Sequence, residues 1–99
     1  MKKYKMRFTP EASRLISKFH PDNKKQIKQA LQELQINPYT GSDLQEELYG
    51  FKSFKFKRHR IVYNINEEDS FVQIFHIGHR SDVYEQFRRL LNELQEKSS

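Results

Sequence analysis

The residues best equipped for chemistry gather in two stretches. One is Phe51-Lys52-Ser53-Phe54-Lys55-Phe56-Lys57-Arg58-His59-Arg60, the other Gly78-His79-Arg80-Ser81-Asp82-Val83-Tyr84. The chain has no cysteine, which excludes a thiol nucleophile, a thiolate metal site and a disulfide framework. What is left is a set of cations with two histidines, two serines, an aspartate and a tyrosine. An arginine can clamp a phosphate through two parallel hydrogen bonds, or stabilise charge as it builds there. A lysine or tyrosine can act as a base where neighbouring positive charge or burial lowers its pKa. Histidine is the side-chain type that can both give and take a proton under physiological conditions, which makes His79 a candidate. Each of these residues also has a plainer reading. Tyr84 falls on an apolar helical stripe, and lysines on an exposed strand discourage edge-to-edge pairing.

The charge distribution is uneven. The formal net charge is +5. Residues 1–7 hold Lys2, Lys3, Lys5 and Arg7, and residues 51–60 hold Lys52, Lys55, Lys57, Arg58 and Arg60, so these two segments carry half of the 18 basic residues and no acidic one. The rest of the chain is net acidic. Concentration of positive charge in short segments is the pattern of a face that binds a polyanion, although it does not separate RNA from DNA or from an acidic protein.

Periodicity indicates the elements that must position these groups. Residues 3–8 alternate as a half-buried strand with Tyr4, Met6 and Phe8 inward. Thr9 then caps a helix with Pro10 at its first position and Ala12, Leu15, Ile16 and Phe19 on one face. His20-Pro21 breaks it, and Asp22 is expected to cap a second helix bearing Ile27, Ala30, Leu31 and Leu34, which Asn37-Pro38 ends. Residues 39–50 read as a loop anchored by Leu44 and Leu48. Three strands follow at about 51–57, 60–66 and 71–77, with Arg58-His59 as a tight connection and Gly78 closing the last. Ser81 or Asp82 is placed to cap a final helix with Val83, Tyr84, Phe87, Leu90, Leu91 and Leu94 inward.

The order is β-α-α-β-β-β-α. It predicts an α+β domain with a small, mainly antiparallel four-stranded sheet, an N-terminal helical hairpin on one face and a C-terminal helix. The domain is expected over residues 1–95, with 96–99 as a frayed tail. Alternation in 51–57 sends Phe54 and Phe56 to the core and Ser53, Lys55 and Lys57 to an open face, with Arg60 beside them. Lys52 and Arg58 fall to the opposite face or the turn. No run approaches the roughly 18 apolar residues of a membrane span, no signal-like segment opens the chain, and a cytoplasmic location is the expectation.

The pairing of Phe51 to Arg60 and Ile61-Val62-Tyr63 with Ile77-Gly78-His79-Arg80-Ser81-Asp82-Val83-Tyr84 resembles the RelE/ParE toxins. Asn37-Pro38 followed by Leu44 and Leu48-Tyr49-Gly50 is similar to a further stretch of that superfamily. The resemblance covers nearly the whole chain in the same element order. It implies a type II toxin–antitoxin system and, on the RelE branch, a metal-independent endoribonuclease without cofactor that enters the ribosome and cuts mRNA. In that reaction a ribose 2′-OH attacks the adjacent phosphate, leaving a 2′,3′-cyclic phosphate or a related 3′-phosphate end.

Carried over by position, the catalytic set implied is Lys55, Arg60, Arg80 and Tyr84, with His79 as a further candidate. Lys57, Lys52 and Arg58 are the expected RNA-binding residues. Ser53 departs from RelE, which has a lysine there. In this reading Arg60 and Arg80 hold the phosphate, Tyr84 or Lys55 is the base, and His79 or Lys57 is the acid. The expected partners are an acidic, partly disordered antitoxin in a higher-order complex, the ribosome and mRNA. Two alternatives share the fold or the charge: a ParE-like inhibitor of DNA gyrase, and a non-catalytic basic module that docks on ribosomal RNA or protein. The Gly78-His79-Arg80-x-x-Val83-Tyr84 ending favours the RelE branch.

Overall fold

A computed structural model describes residues 3–98; Lys2, part of the N-terminal basic cluster, and Ser99 at the end of the expected tail lie outside them. The elements are β1 (Lys5–Phe8), α1 (Pro10–Lys18), α2 (Pro21–Ile36), β2 (Ser42–Asp43), β3 (Lys52–Phe56), β4 (His59–Asn66), β5 (Phe71–His79) and α3 (Val83–Ser98). Short 3-10 turns at Pro38–Thr40 and Glu46–Leu48 flank β2. The sheet order is β1-β5-β4-β3-β2, with β1 parallel to β5 and every other pair antiparallel. There are thus five strands rather than the expected four. The extra one is two residues long, Ser42 and Asp43 pairing with Ser53 and Lys52, too short to show a period of its own.

Local chemistry sets the helix boundaries. The Thr9 hydroxyl accepts from the Ala12 N–H and Pro10 occupies the first turn of α1, as expected. The second helix begins one residue before the predicted cap. Pro21 sits in its first turn, and the His20 ring nitrogen Nδ1, not the Asp22 carboxylate, does the capping by accepting from the Asp22 N–H at 3.3 Å. Proline needs no N–H partner there, so the helix can start at Pro21 itself. At the other end of the chain α3 continues to Ser98, so the segment expected as a frayed tail from 96 is helical through that residue.

Two apolar clusters lie on opposite faces of the sheet. Ala12, Ile27, Ala30 and Leu34 of α1 and α2 pack on Ile61, Tyr63, Val72, Ile74 and Ile77, with Phe54 and Phe56 at the margin. On the other face Val83 and Phe87 of α3 pack with Val62 and Leu48, joined by Phe51, Phe75 and Tyr84. The face carrying Ser53, Lys55 and Arg60 is therefore not open as expected. The apolar stripe of α3 needs a surface to cover, and this is the face that remains. Gly78 permits the close approach: a Cβ there would stand 3.0 Å from Gln86 Oε1 and 3.3 Å from a Val83 methyl. The strand also runs past Gly78, to His79.

Tyr63 ties the loop after α2 to the sheet. Its side chain is fully buried; the hydroxyl donates to the Pro38 carbonyl at 2.7 Å and accepts from the Gly41 N–H at 3.2 Å. Burial pushes its pKa up to about 12, against a lowering contribution from the Gly41 bond. Tyr63→Phe removes the partner of a buried carbonyl and is expected to cost about 1–3 kcal/mol, read as a lower midpoint in chemical denaturation with an unchanged slope.

Candidate active site

The site is built on the β3–β4 hairpin. Phe56 pairs with His59 and Lys55 with Arg60, so the two-residue turn is Lys57-Arg58, one position earlier than expected. Stacking of the Phe56 and His59 rings, 5.6 Å apart and 20° from parallel, closes the hairpin at that pair. Lys57 takes a φ of 53°, a left-handed conformation that a non-glycine residue adopts at a cost of roughly 1 kcal/mol. Lys57 and Arg58 consequently leave the end of the sheet, and Lys57 does not share the strand face of Lys55.

Lys55, Arg60 and Gly78 form one row across three strands. Beside it, α3 brings Tyr84 down onto β3. The Tyr84 hydroxyl donates to Ser53 Oγ at 3.0 Å, Arg60 Nη1 donates to the same oxygen at 3.3 Å, and the Arg60 guanidinium carbon lies 5.8 Å from the Tyr84 ring centre. Ser53 is buried, whereas Lys55 is exposed and Arg60 and Tyr84 are half-buried. The loop into α3 is pinned to the hairpin turn, because the Arg80 N–H donates to the Arg58 carbonyl at 2.8 Å. This places Lys57, Arg58 and Arg80 at the end of the sheet that holds Lys55 and Arg60. Among the described residues no carboxylate forms an ion pair with any of these five cations. The result is a rigid, uncompensated positive patch with two hydroxyls, those of Ser53 and Tyr84, fixed beside it, an arrangement that can grip a phosphodiester before any chemistry begins.

Two of the expected site residues stand elsewhere. His79 faces the helical-hairpin side, where its ring centre is 6.0 Å from that of His59, which in turn meets Phe19 edge-on at 5.3 Å. Its Nδ1 accepts from the Ser81 hydroxyl at 2.8 Å and the Ser81 N–H at 3.3 Å. Continuation of β5 through Gly78 causes this, since each added strand residue turns the next side chain to the other face. Burial, and then the charge of His79, lower the pKa of His59. Lys52 lies at the far end of β3, 2.5 Å from Asp43 Oδ1 and 5.8 Å from the Tyr39 ring centre. Its charge is answered there by a carboxylate. Among the described residues there is no group of three or more His, Asp or Glu arranged to hold a metal ion.

The residue pattern gave Ser53 no role beyond its departure from RelE, and did not point to His76 at all. His76 is only 5% exposed; its Nε2 meets Gln86 Oε1 at 3.3 Å, and its Nδ1 is buried with no partner. Burial lowers its pKa, outweighing the opposite effects of Gln86 and Asp82. A histidine held neutral in the folded state takes up its proton more readily when unfolded. Stability is therefore fully present above pH 6.5, the ordinary value, and falls as pH drops below it. The expected loss from His76 is at most about 1.4 kcal/mol per pH unit. It is measured by urea denaturation between pH 7.5 and 5, and His76→Gln should flatten the slope.

Comparison with known proteins fixes the lineage of this geometry. Residues 6–84 match the family described as ParE toxin of type II toxin-antitoxin system, parDE. The chain belongs to the RelE/ParE toxin superfamily. It is accordingly a toxin of a type II toxin–antitoxin system. A chain in the crystal structure of the RelBE2 toxin–antitoxin complex of Mycobacterium tuberculosis is 31% identical, with a TM-score of 0.73 over 79% of this toxin and 99% of that chain. The isolated RelE toxin of E. coli aligns with a TM-score of 0.67 at 21% identity, over 89% of this chain and 98% of its own. The YoeB dimer of Staphylococcus aureus gives 0.64 at 23%, over 79% and 98%. The last two are likenesses of fold. A search of curated protein sequences found no match.

Proposed function

We propose that this toxin is a metal-independent endoribonuclease that cuts mRNA on the ribosome. The observation that carries the reading is the Arg60–Ser53–Tyr84 hydrogen-bonded group set beside Lys55, with Arg80 anchored at the adjoining turn. In-line attack of a 2′-OH needs a base, cations for the five-coordinate phosphorane and an acid for the departing 5′-oxygen. Arg60 and Arg80 stay charged at any physiological pH and supply the second requirement. Tyr84 or Lys55 serves as base. His79 or Lys57 is the acid candidate; the His79 ring lies with His59 on the helical-hairpin side, with its Nδ1 accepting from Ser81, and Lys57 stands in the hairpin turn. Lys52 and Arg58 guide the RNA from outside the reacting centre, Lys52 only weakly because of Asp43.

The cognate partner is an acidic antitoxin that covers the cationic patch, a reading supported by the RelBE2 complex and by the charge of the site. A translating ribosome as target puts the toxin in the cytoplasm. Gyrase inhibition is the second reading, favoured by the ParE description of the matching family. Inducing the protein in cells, mapping mRNA 5′ ends and pulse-labelling protein synthesis separates the two. The ribonuclease predicts new 5′ ends confined to translated codons and an immediate fall in labelling. Gyrase-linked DNA breaks with translation intact would overturn it, as would ribosome association with unaltered mRNA ends, the signature of a docking module.

A further inference from the structure

We propose that Ser53 is a positioning residue for the reaction, an inference that rests on the ribonuclease reading. Among the described residues its Oγ is the atom that accepts a hydrogen bond from both site elements: Arg60 Nη1 of β4 donates to it at 3.3 Å and the Tyr84 hydroxyl of α3 at 3.0 Å. A hydroxyl oxygen has two lone pairs, so these two donors fill its accepting capacity. The guanidinium and the phenol are thereby fixed relative to each other through a single buried atom.

Ser53 can do this because its own position is rigid. It pairs with Ser42 on one side and Val62 on the other, and it is 1% exposed. On the β2 side the fit is tight enough that a Cβ added at Gly41 would stand 2.8 Å from the Ser53 carbonyl oxygen. Arg60 and Tyr84 themselves are only half-buried. Without Ser53 each has solvent as its alternative partner, and the contact left between them is the approach of the guanidinium to the Tyr84 ring at 5.8 Å, which fixes neither the phenol hydroxyl nor the guanidinium fork. In this state the Tyr84 hydroxyl donates to Ser53; once Tyr84 has given up that proton to serve as base, the Ser53 hydroxyl can donate to the phenolate while its oxygen still accepts from Arg60. Ser53 touches no reacting atom; its effect passes through Arg60 and Tyr84.

This predicts a loss in the chemical step rather than in binding. Ser53→Ala should lower kcat for cleavage of ribosome-bound mRNA roughly 10- to 100-fold, the scale of a displaced catalytic group. KM for the programmed ribosome should change less than twofold, because Lys55, Lys57 and Arg80 are untouched, and the melting temperature should stay within a few degrees of wild type. In a double-variant cycle with Tyr84→Phe, the combined loss should be smaller than the product of the two single losses. Wild-type kcat in Ser53→Ala, a loss confined to KM, or losses that simply multiply would each overturn the assignment while leaving the ribonuclease reading in place. Absence of cleavage by the wild-type protein removes that reading, and this assignment with it.

Discussion

Arg60→Ala is expected to lower the rate of cleavage of ribosome-bound mRNA about 10²- to 10³-fold, the loss that follows removal of one preorganised donor to a charged transition state. Among the cations of the patch, Arg60 alone is held from two sides, by Ser53 Oγ and against the Tyr84 ring. Its orientation is therefore set before RNA arrives, and its charge is present at every relevant pH. The residue is half-buried and bonded to a neutral oxygen, so its removal should cost no more than about 1 kcal/mol of stability. Arg60→Lys keeps the charge without the planar fork and should recover only part of the rate. Single-turnover cleavage on programmed ribosomes, with a thermal melt of the same samples, reads both quantities. A wild-type rate in Arg60→Ala would sink the proposed site.

Much of this arrangement is legible in the residue pattern because strands and helices have fixed periods. Alternation separates Phe54 and Phe56 from Ser53 and Lys55, and the structure keeps that separation. The stripes Ala12-Leu15-Ile16 and Ile27-Ala30-Leu34 mark the hairpin over the sheet. What periodicity does not carry is which surface an amphipathic helix covers. The stripe of α3 is plain in the sequence, yet its docking over Ser53 depends on Val62, Phe51 and Phe75, contributed by three separate segments. Small offsets also change faces. A register shift in β4–β5 falls between Val62 and Tyr63, the hairpin turns at Lys57 without a glycine or asparagine to mark it, and β5 runs on through Gly78 to His79. The last of these moves a candidate catalytic histidine to the other side of the sheet. Charge clusters likewise show signs but not partners. Alternation already sends Lys52 and Lys55 to different faces, but only β2, too short to foresee, delivers Asp43 to Lys52.

Phe87→Ala should be the most damaging substitution for the fold. Phe87 is fully buried at the centre of the α3 face. Its ring stands edge-on to Phe51 at 5.0 Å and to Phe75 at 6.2 Å, and packs on His76 at 6.1 Å. Truncating a buried phenylalanine costs about 3–5 kcal/mol, a large share of the roughly 5–15 kcal/mol available to a small domain. For a chain of this size that corresponds to a fall in melting temperature of more than about 10 °C. Phe87→Leu, which fills most of the space, should lose about a third as much or less. The consequence reaches the site because Tyr84 lies one helical turn before Phe87 on the same stripe of α3. When that stripe loosens, the Tyr84 hydroxyl leaves Ser53 even in molecules that remain folded. Phe87→Ala and Arg60→Ala therefore silence the toxin by different routes: the first with a collapsed melting curve and activity partly recovered on cooling, the second with a normal curve and an activity that temperature does not restore. A wild-type melt for Phe87→Ala would mean that α3 does not form this face of the core, and would remove the framework that holds Tyr84 in place.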